Sequence, residues 1–312
     1  MRIEYHRTLL ADRVRNDAFY EALKRVIVPG KTVVADIGAG TGLLGFLAAK
    51  LGARRVDLYE RAEIGAVAEK LIRLNKFKNV KIWAGHSTDT APEAVADVVV
   101  SETLGNYAFE ENIIETINDA RQRFLKPGGI VIPCRVEQFV CPIVGERLYR
   151  ELAIWDEVGY GLDFSPAKAM GLNNIYVRWF EPKDLLDGGK AQRSWDRIAF
   201  DKMPKTSRSG EVAWPVGKAT TFYGVGLWWA ADLVDGVRLS TAPDTPRTHW
   251  EQLYLPAFEP IPASAGDTLH VRLKSTTSYE DGTNVGWTLR LTDAKGREKA
   301  KQAMDLNKGF IP

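Results

Sequence analysis

Sulfur and imidazole are scarce in this chain of 312 residues, which has two cysteines, Cys134 and Cys141, and four histidines. Neither cysteine stands near a histidine or at metal-ligand spacing, so no metal site is expected. The pair could share a strand face or form a disulfide, and reduced thiols in a core are the simpler expectation. An excess of one charge is missing too: 42 lysines and arginines against 40 acids leave a formal +2, which argues for neither a nucleic-acid nor a membrane partner. No apolar run reaches the length of a membrane span. The opening MRIEYHRTLL is charged and holds no uninterrupted signal region, so a soluble, cytoplasmic protein is expected. What remains is an ordinary globular composition, 45% hydrophobic, enough for two domains or one large domain with an insertion.

Apolar residues recur at helical spacing from Thr8 to Val28 (Leu10, Val14, Phe19, Leu23, Val26), and Pro29-Gly30 closes this first helix. Strands and helices then alternate. TVVADIG, ARRVDLYER, VKIWAG, VADVVVSE and GGIVIP read as strands, and helices fall at LLGFLAAKLG, EIGAVAEKLIRLNKF and Asn112–Phe124. Such alternation predicts a parallel, doubly wound Rossmann-like α/β sheet covered on both faces. Past Pro133 the pattern changes to short alternating segments separated by turn residues: RVEQFVCPIV, ATTFYGVGLWW, WEQLYLPAF, TLHVRLKS and VGWTLRLTD. An antiparallel barrel or sandwich is expected there. The predicted division is therefore a helix over 1–29, the α/β domain over 30–133 and a β-barrel-like domain over 134–312, with an inserted, partly helical arm at about 164–188. Trp228 and Trp229 are adjacent on one strand, so one faces in and one out.

VVADIGAGTG sets Gly38, Gly40 and Gly42 between a buried strand and a helix, where glycines allow a sharp turn and close approach of a ligand. GTGLLG, from Gly40 to Gly45, also satisfies the dinucleotide pattern, with Glu60 twenty residues on, so a nicotinamide-dependent oxidoreductase is a rival reading. Asp36 weighs against it, since a carboxylate at the strand end would hinder a pyrophosphate but help hold an amino-bearing ligand. With LKPGG ahead of a later strand, the turn resembles class I methyltransferases that use S-adenosylmethionine and release S-adenosylhomocysteine. That likeness implies that Glu60 accepts hydrogen bonds from the ribose hydroxyls.

The loop after the fourth strand, SETLGNYAFEE, carries Glu102, Glu110 and Glu111, a crowding of like charges that ordinarily raises each pKa. Glu102 and Glu111, nine residues apart, resemble the double-glutamate hairpin of the protein arginine methyltransferases, and THWEQ, Thr248–Gln252, resembles that family's threonine-histidine-tryptophan loop. The chemistry suits the pattern. A guanidinium stays protonated and its nitrogens are poor nucleophiles, and two carboxylates can pair with its planar N–H fork and bias charge away from the reacting nitrogen. Glu110 is expected outside this clamp, beginning a helix whose dipole favours it.

The resemblance carries further expectations. LLADRVR, Leu9–Arg15, looks like the family's helix over the cofactor, which implies that Arg15 pairs with the carboxylate of the cofactor's methionine portion and that Asp12 links to His249. Glu102, Glu111, His249 and Asp12 are then the catalytic set; Asp36, Gly38, Gly40, Gly42, Glu60, Ser87 and His6 join Arg15 at the cofactor. Tyr107 and Trp250 join the two glutamates at the substrate, although core packing is the commoner role for Trp250. Pro133 stands where the family typically has a cis-proline, and Ala169, Met170, Leu172, Ile175, Tyr176 and Trp179 form an apolar stretch of the arm, implying a homodimer. Two departures matter. The family's tyrosine-rich helix has no counterpart ahead of Leu9, so Tyr5 and His6 are expected to stand partly in its place. The loop after the third strand reads GHSTD, with Ser87 or Thr88 where the family places a glutamate near the adenine amino group. The expected substrate is an arginine-containing protein or peptide, with free arginine or another small guanidine as the alternative; a non-catalytic scaffold is the reading that the intact glutamates oppose.

Overall fold

The computed structural model describes residues 3–309, so the outermost ends of the first and last predicted segments lie outside the described residues. Two helices, α1 (Ile3–Ala11) and α2 (Arg13–Val26), replace the single helix expected over Thr8–Val28. Asp12 breaks them apart: its backbone leaves the helical region (ψ 91°), and its Oδ1 accepts the Arg15 N–H at 2.9 Å as an N-cap. The break also moves Leu10 off the apolar face, leaving it 47% exposed while Phe19, Ala22 and Leu23 are fully buried.

The α/β half follows as β1 (Val33–Ile37), α3 (Leu43–Lys50), β2 (Arg55–Glu60), α4 (Gly65–Leu74), β3 (Val80–Ala84), β4 (Ala96–Val100), α5 (Ile113–Arg123) and β5 (Leu125–Ile132). The strands form one parallel sheet in the order β3-β2-β1-β4-β5, with Val34 of β1 opposite Val56 of β2 and Val98 of β4. The order reverses between β1 and β4, and in open sheets the crevice beyond the carboxyl ends of such strands is where ligands bind. Glu60 ends β2 there, and Ser101-Glu102 leaves β4 there. Both faces of the sheet are covered: one carries Val34, Val56 and Val98 beneath Phe19 and Leu44, the other Val33, Ala35 and Val99 beneath Phe124.

The Ile132–Pro133 peptide is cis. After it come β6 (Arg135–Ile143), α6 (Arg147–Leu152), α7 (Ser165–Leu172), β7 (Tyr176–Arg178), β8 (Arg193–Ala199), β9 (Arg208–Pro215), β10 (Thr220–Val234), β11 (Val237–Ser240), β12 (Gln252–Ala263), β13 (Thr268–Ser278), β14 (Gly282–Thr292) and β15 (Glu298–Asp305). They build two antiparallel sheets, β7-β12-β10-β6-β8 with β11 beside β10, and β15-β14-β13-β9. Val140, Trp229, Leu255, Leu273 and Trp287 pack between the sheets, and this core runs on into Leu104, Tyr107 and Phe109 of the acidic loop. The loop is therefore anchored in the barrel's interior. Among the described residues no helix is long and apolar enough to cross a membrane.

The adjacent tryptophans face opposite sides of their strand, as expected, and both pack into cores. Trp229 fills the core between the sheets, whereas Trp228 enters a second core with Cys141, Leu172, Phe180 and Tyr254. The arm makes that second core. Of the apolar stretch assigned to the arm, Ala169 and Leu172 are buried against the barrel because helical spacing turns them inward; Met170 stays 56% exposed, and Ile175, Tyr176 and Trp179 are half-buried. Leu172→Ala should consequently destabilise the protein by about 2–5 kcal/mol through the cavity it leaves. Met170→Ala should stay within about 0.5 kcal/mol, both read from urea unfolding midpoints.

Candidate active site

The acidic loop owes its shape to hydrogen bonds that set its three carboxylates along the cleft, with Glu110 folded back onto the loop itself. Where β4 ends, the Ser101 hydroxyl donates to the Ile37 carbonyl at 2.9 Å, and the chain turns into the cleft with Glu102. Leu104, Tyr107, Ala108 and Phe109 are buried, so the segment between the glutamates is an apolar wedge with polar ends. Two indoles of the barrel grip its backbone: Trp250 Nε1 donates to the Leu104 carbonyl at 2.8 Å and Trp229 Nε1 to the Gly105 carbonyl at 2.9 Å. The rings meet edge to face, 5.0 Å between centroids. The Glu251 N–H donates to Asn106 Oδ1 at 2.9 Å, and the Tyr107 hydroxyl donates to Ser275 Oγ at 2.6 Å while accepting from Gln138 Nε2 at 3.2 Å.

These contacts correct two sequence expectations. Tyr107 and Trp250, assigned to substrate, are 3% and 2% exposed and do not line the cleft; a buried phenol or indole needs a partner, and both find theirs inside the protein. Glu110 is corrected as well. Its carboxylate folds back to accept the N–H groups of Asn106 (2.8 Å) and Tyr107 (3.4 Å), while α5 begins only beyond Asn112, so it braces the loop and not the helix dipole. A Cβ on Gly105 would lie 2.0 Å from Glu110 Oε1, so the fold-back requires glycine at that position.

A cavity of about 460 Å³ runs from this loop across the ends of β1, β2 and β3. It brings together His6, Arg15, Asp36, Gly38, Gly40, Glu60, Ser87, Glu102, Glu111 and His249, with Tyr5 and Leu9 of α1. Gly38, Gly40 and Gly42 all have positive φ, and Gly42 stands behind the turn, where a Cβ would come within 2.7 Å of the Phe46 ring. Glu60 accepts the N–H of Gly40 at 2.8 Å on one oxygen and that of Ala62 at 2.7 Å on the other. Asp36 accepts the Gly45 N–H at 2.8 Å; burial, reinforced by the negative charges of Glu60 and Glu102, pushes its carboxyl up to about 7. His6 is buried with no partner for Nε2 among the described residues, and burial lowers its pKa.

Asp12 lies behind His249 and outside the cavity. Its Oδ2 accepts from the His249 backbone N–H at 2.7 Å and sits 2.8 Å from ring Nδ1. Burial would raise the Asp12 pKa, but the bonds from His249 and Arg15 outweigh it and hold the carboxyl low. Facing a carboxylate, Nδ1 carries the proton. α1 and α2 are thereby joined to the barrel.

Glu102 and Glu111 differ in their surroundings. Glu102 Oε2 takes the Nε and Nη2 donors of Arg15 in a buried ion pair, and Arg15 Nη1 reaches Asn16 Oδ1 at 2.6 Å. Glu111 makes no hydrogen bond or ion pair among the described residues. Although the residue is exposed at the cavity rim, desolvation of its carboxyl and then the charges of Glu102 and Glu110 push it up to about 7. The same acids raise the Tyr5 hydroxyl beside them, after desolvation. Sequence reasoning missed Trp229, Gln138 and Ser275 as supports of the loop and Tyr279 as a cavity residue; only the need of a buried indole N–H for an acceptor hinted at the first.

A family model described as the arginine methyltransferase oligomerization subdomain matches residues 135–291, about half of the chain, and one described as ribosomal protein L11 methyltransferase matches residues 19–134. Curated relatives include arginine N(omega)-methyltransferase of Streptomyces achromogenes subsp. streptozoticus, 31% identical over 86% of this chain and 75% of that protein. Protein arginine N-methyltransferase 6 of Xenopus tropicalis is 29% identical over 81% of this chain and 78% of that protein. Among solved structures, the Trypanosoma brucei PRMT1 enzyme-prozyme heterotetrameric complex with AdoHcy shares the fold at TM-score 0.86 and 24% identity, over 96% of this chain and 97% of that one.

A raised carboxyl binds its proton more tightly folded than unfolded, so its contribution favours the fold below the ordinary value of 4.5 and is lost as pH rises through about 7. Between pH 5 and 8 the unfolding free energy of the wild type should therefore fall relative to that of Glu111→Gln, measured by urea unfolding across that range. Parallel curves would contradict the assignment.

Proposed function

The chain belongs to the protein arginine N-methyltransferase family, and we propose that it transfers methyl groups from S-adenosylmethionine to a guanidinium nitrogen of arginine, most simply in a protein or peptide. The observation that carries this reading is the entry of Glu102 and Glu111 into one cavity with the glycine turn and Glu60. The donor set fits the cofactor. The turn exposes backbone with no Cβ at Gly38 and Gly40, Glu60 keeps lone pairs for two hydroxyls, and Nε2 of buried His6, without a partner among the described residues, can take a polar neighbour. Three of the five Arg15 donors are engaged, leaving two for a carboxylate. When bound, S-adenosylmethionine supplies an electrophilic methyl group on a sulfonium.

The residues of the chain do the rest by charge and orientation. Glu102, fixed by Arg15 and by the Leu104 N–H at 3.3 Å, is the rigid side of the clamp. Glu111, which no other described residue engages, is the second side, and a guanidinium entering beside it would stabilise its ionised form. Together they hold the planar fork and draw its positive charge away from the attacking nitrogen, and such orientation can be worth several kcal/mol. That nitrogen gains a methyl group and must lose a proton. Glu111, which accepts no bond from another described residue and whose carboxyl is raised to about 7 before a guanidinium enters, is placed to accept it. His249, held by Asp12, borders the same cavity and fixes the α1–α2 junction over it.

A second reading, free arginine as substrate, is favoured by the 31% identity to a relative named for arginine itself. Labelled methyl transfer to an arginine-glycine-rich peptide and to free arginine separates the two. On the preferred acceptor, Glu102→Gln and Glu111→Gln should each lower turnover by about a hundredfold or more, in the range of lost transition-state electrostatics. Glu111→Gln should keep its affinity for S-adenosylhomocysteine. An undiminished rate in either variant would remove that residue from the clamp.

We further propose a homodimer formed through the arm. Ile154, Tyr160, Leu162 and Met170 are 57%, 95%, 63% and 56% exposed in and before α7, apolar side chains that a partner surface would cover. Light scattering should report twice the mass of one chain, and Leu162→Asp should shift the population toward half that value.

A further inference from the structure

The strand order sets out the cavity as a line. From β4 to β3 it passes the acidic loop, the glycine turn after β1, Glu60 at the end of β2 and finally Gly85, His86 and Ser87 beyond β3. A ligand whose ribose meets Glu60 and whose sulfur lies toward the acidic loop has its purine at the β3 end. No carboxylate from the loop after β3 lines that end. Asp89, the nearest acid, is exposed and accepts the Thr88 hydroxyl at 3.2 Å instead.

Two aromatic rings stand there. His86 is held by Thr88, whose N–H donates to Nδ1 at 3.3 Å and whose hydroxyl lies 2.7 Å from it. Tyr279 arrives from the other half of the molecule, on the turn between β13 and β14. Its hydroxyl is 2.9 Å from the Thr116 hydroxyl on α5, and its ring meets His86 at 89°, 5.2 Å between centroids. Both residues line the cavity, and Tyr279 is still 49% exposed, so its ring has a free side. The same hairpin is docked on the α/β half independently of that ring, by Thr277 donating to Glu115 at 2.8 Å and by Ser275 accepting from Tyr107.

We propose that Tyr279, with His86, forms the purine-recognising end of the cofactor cleft, so that the barrel hairpin reads the base that no acid of the β3 loop reaches. This rests on the adenosyl reading of the cleft given above. Aromatic rings bind a base through its faces and edges and need no charge to do so. The requirement is a ring held at the right place, which Thr116 and Thr88 provide. One consequence is that cofactor binding touches both halves of the molecule at the β13–β14 turn.

Calorimetric titration of S-adenosylhomocysteine into the full chain tests this. Wild type should bind, Tyr279→Ala should bind about tenfold more weakly, and Tyr279→Phe, which keeps the ring, should stay within about threefold. Thr277→Ala, which removes a docking bond of the hairpin away from the cleft, should bind like wild type. Affinity in Tyr279→Ala within twofold of wild type would overturn the proposal, as would an equal loss in Tyr279→Phe or in Thr277→Ala, since the hairpin's docking and not the ring would then be responsible. No binding by wild type would instead sink the adenosyl reading of the cleft itself.

Discussion

Two indole N–H groups from the barrel hold the carbonyls of Leu104 and Gly105, and the acidic loop has its shape because of them. Three carboxylates within ten residues repel one another, and a loop free to move would carry them out to water. Here the loop's apolar residues are sealed into the barrel core while its backbone is gripped by neutral donors. Glu102 and Glu111 are thus left beside the cavity at a cost visible in the carboxyl of Glu111, which desolvation and then the charges of Glu102 and Glu110 raise. A buried polar group is costly only when unpaired, and every named support here is paired.

The choice of neutral braces has a chemical consequence. Lysine or arginine around the loop would have relieved the repulsion and consumed the charge that a guanidinium must meet. Among the described residues Arg15 alone pairs with a glutamate of the clamp, and it binds one oxygen of Glu102. The two carboxylates are therefore unequal, one rigid and neutralised in part, the other without a partner among the described residues and raised to about 7. That inequality suits a site in which one group aligns a cation and another removes its proton. Asp12 couples the arrangement to the helices above, because one carboxylate both caps α2 and binds His249 of the barrel.

The barrel shows where reading a sequence works and where it stops. Its interior strands, β6, β10, β12, β13 and β14, were each legible as alternating apolar segments. The strands that escaped notice, β7, β8, β9, β11 and β15, stand at sheet margins or pair with a single neighbour. A marginal strand borders water on one flank and is commonly charged for that reason, as EKAKQAMD of β15 is, so its pattern is that of a loop. The same logic explains Leu10: helical spacing is read from composition, and the interruption at Asp12 follows from a partner more than two hundred residues away.

The sequence by itself determined the parallel sheet, the glycine turn, Glu60 and the nine-residue spacing of the paired glutamates, because each depends on residues near one another in the chain. Tertiary structure alone decided that Tyr107 and Trp250 serve the loop from within the core, that Ala169 and Leu172 cover the barrel, and that Tyr279 stands beside His86. Those roles depend on which distant surface a side chain meets, and local patterning carries no record of that surface.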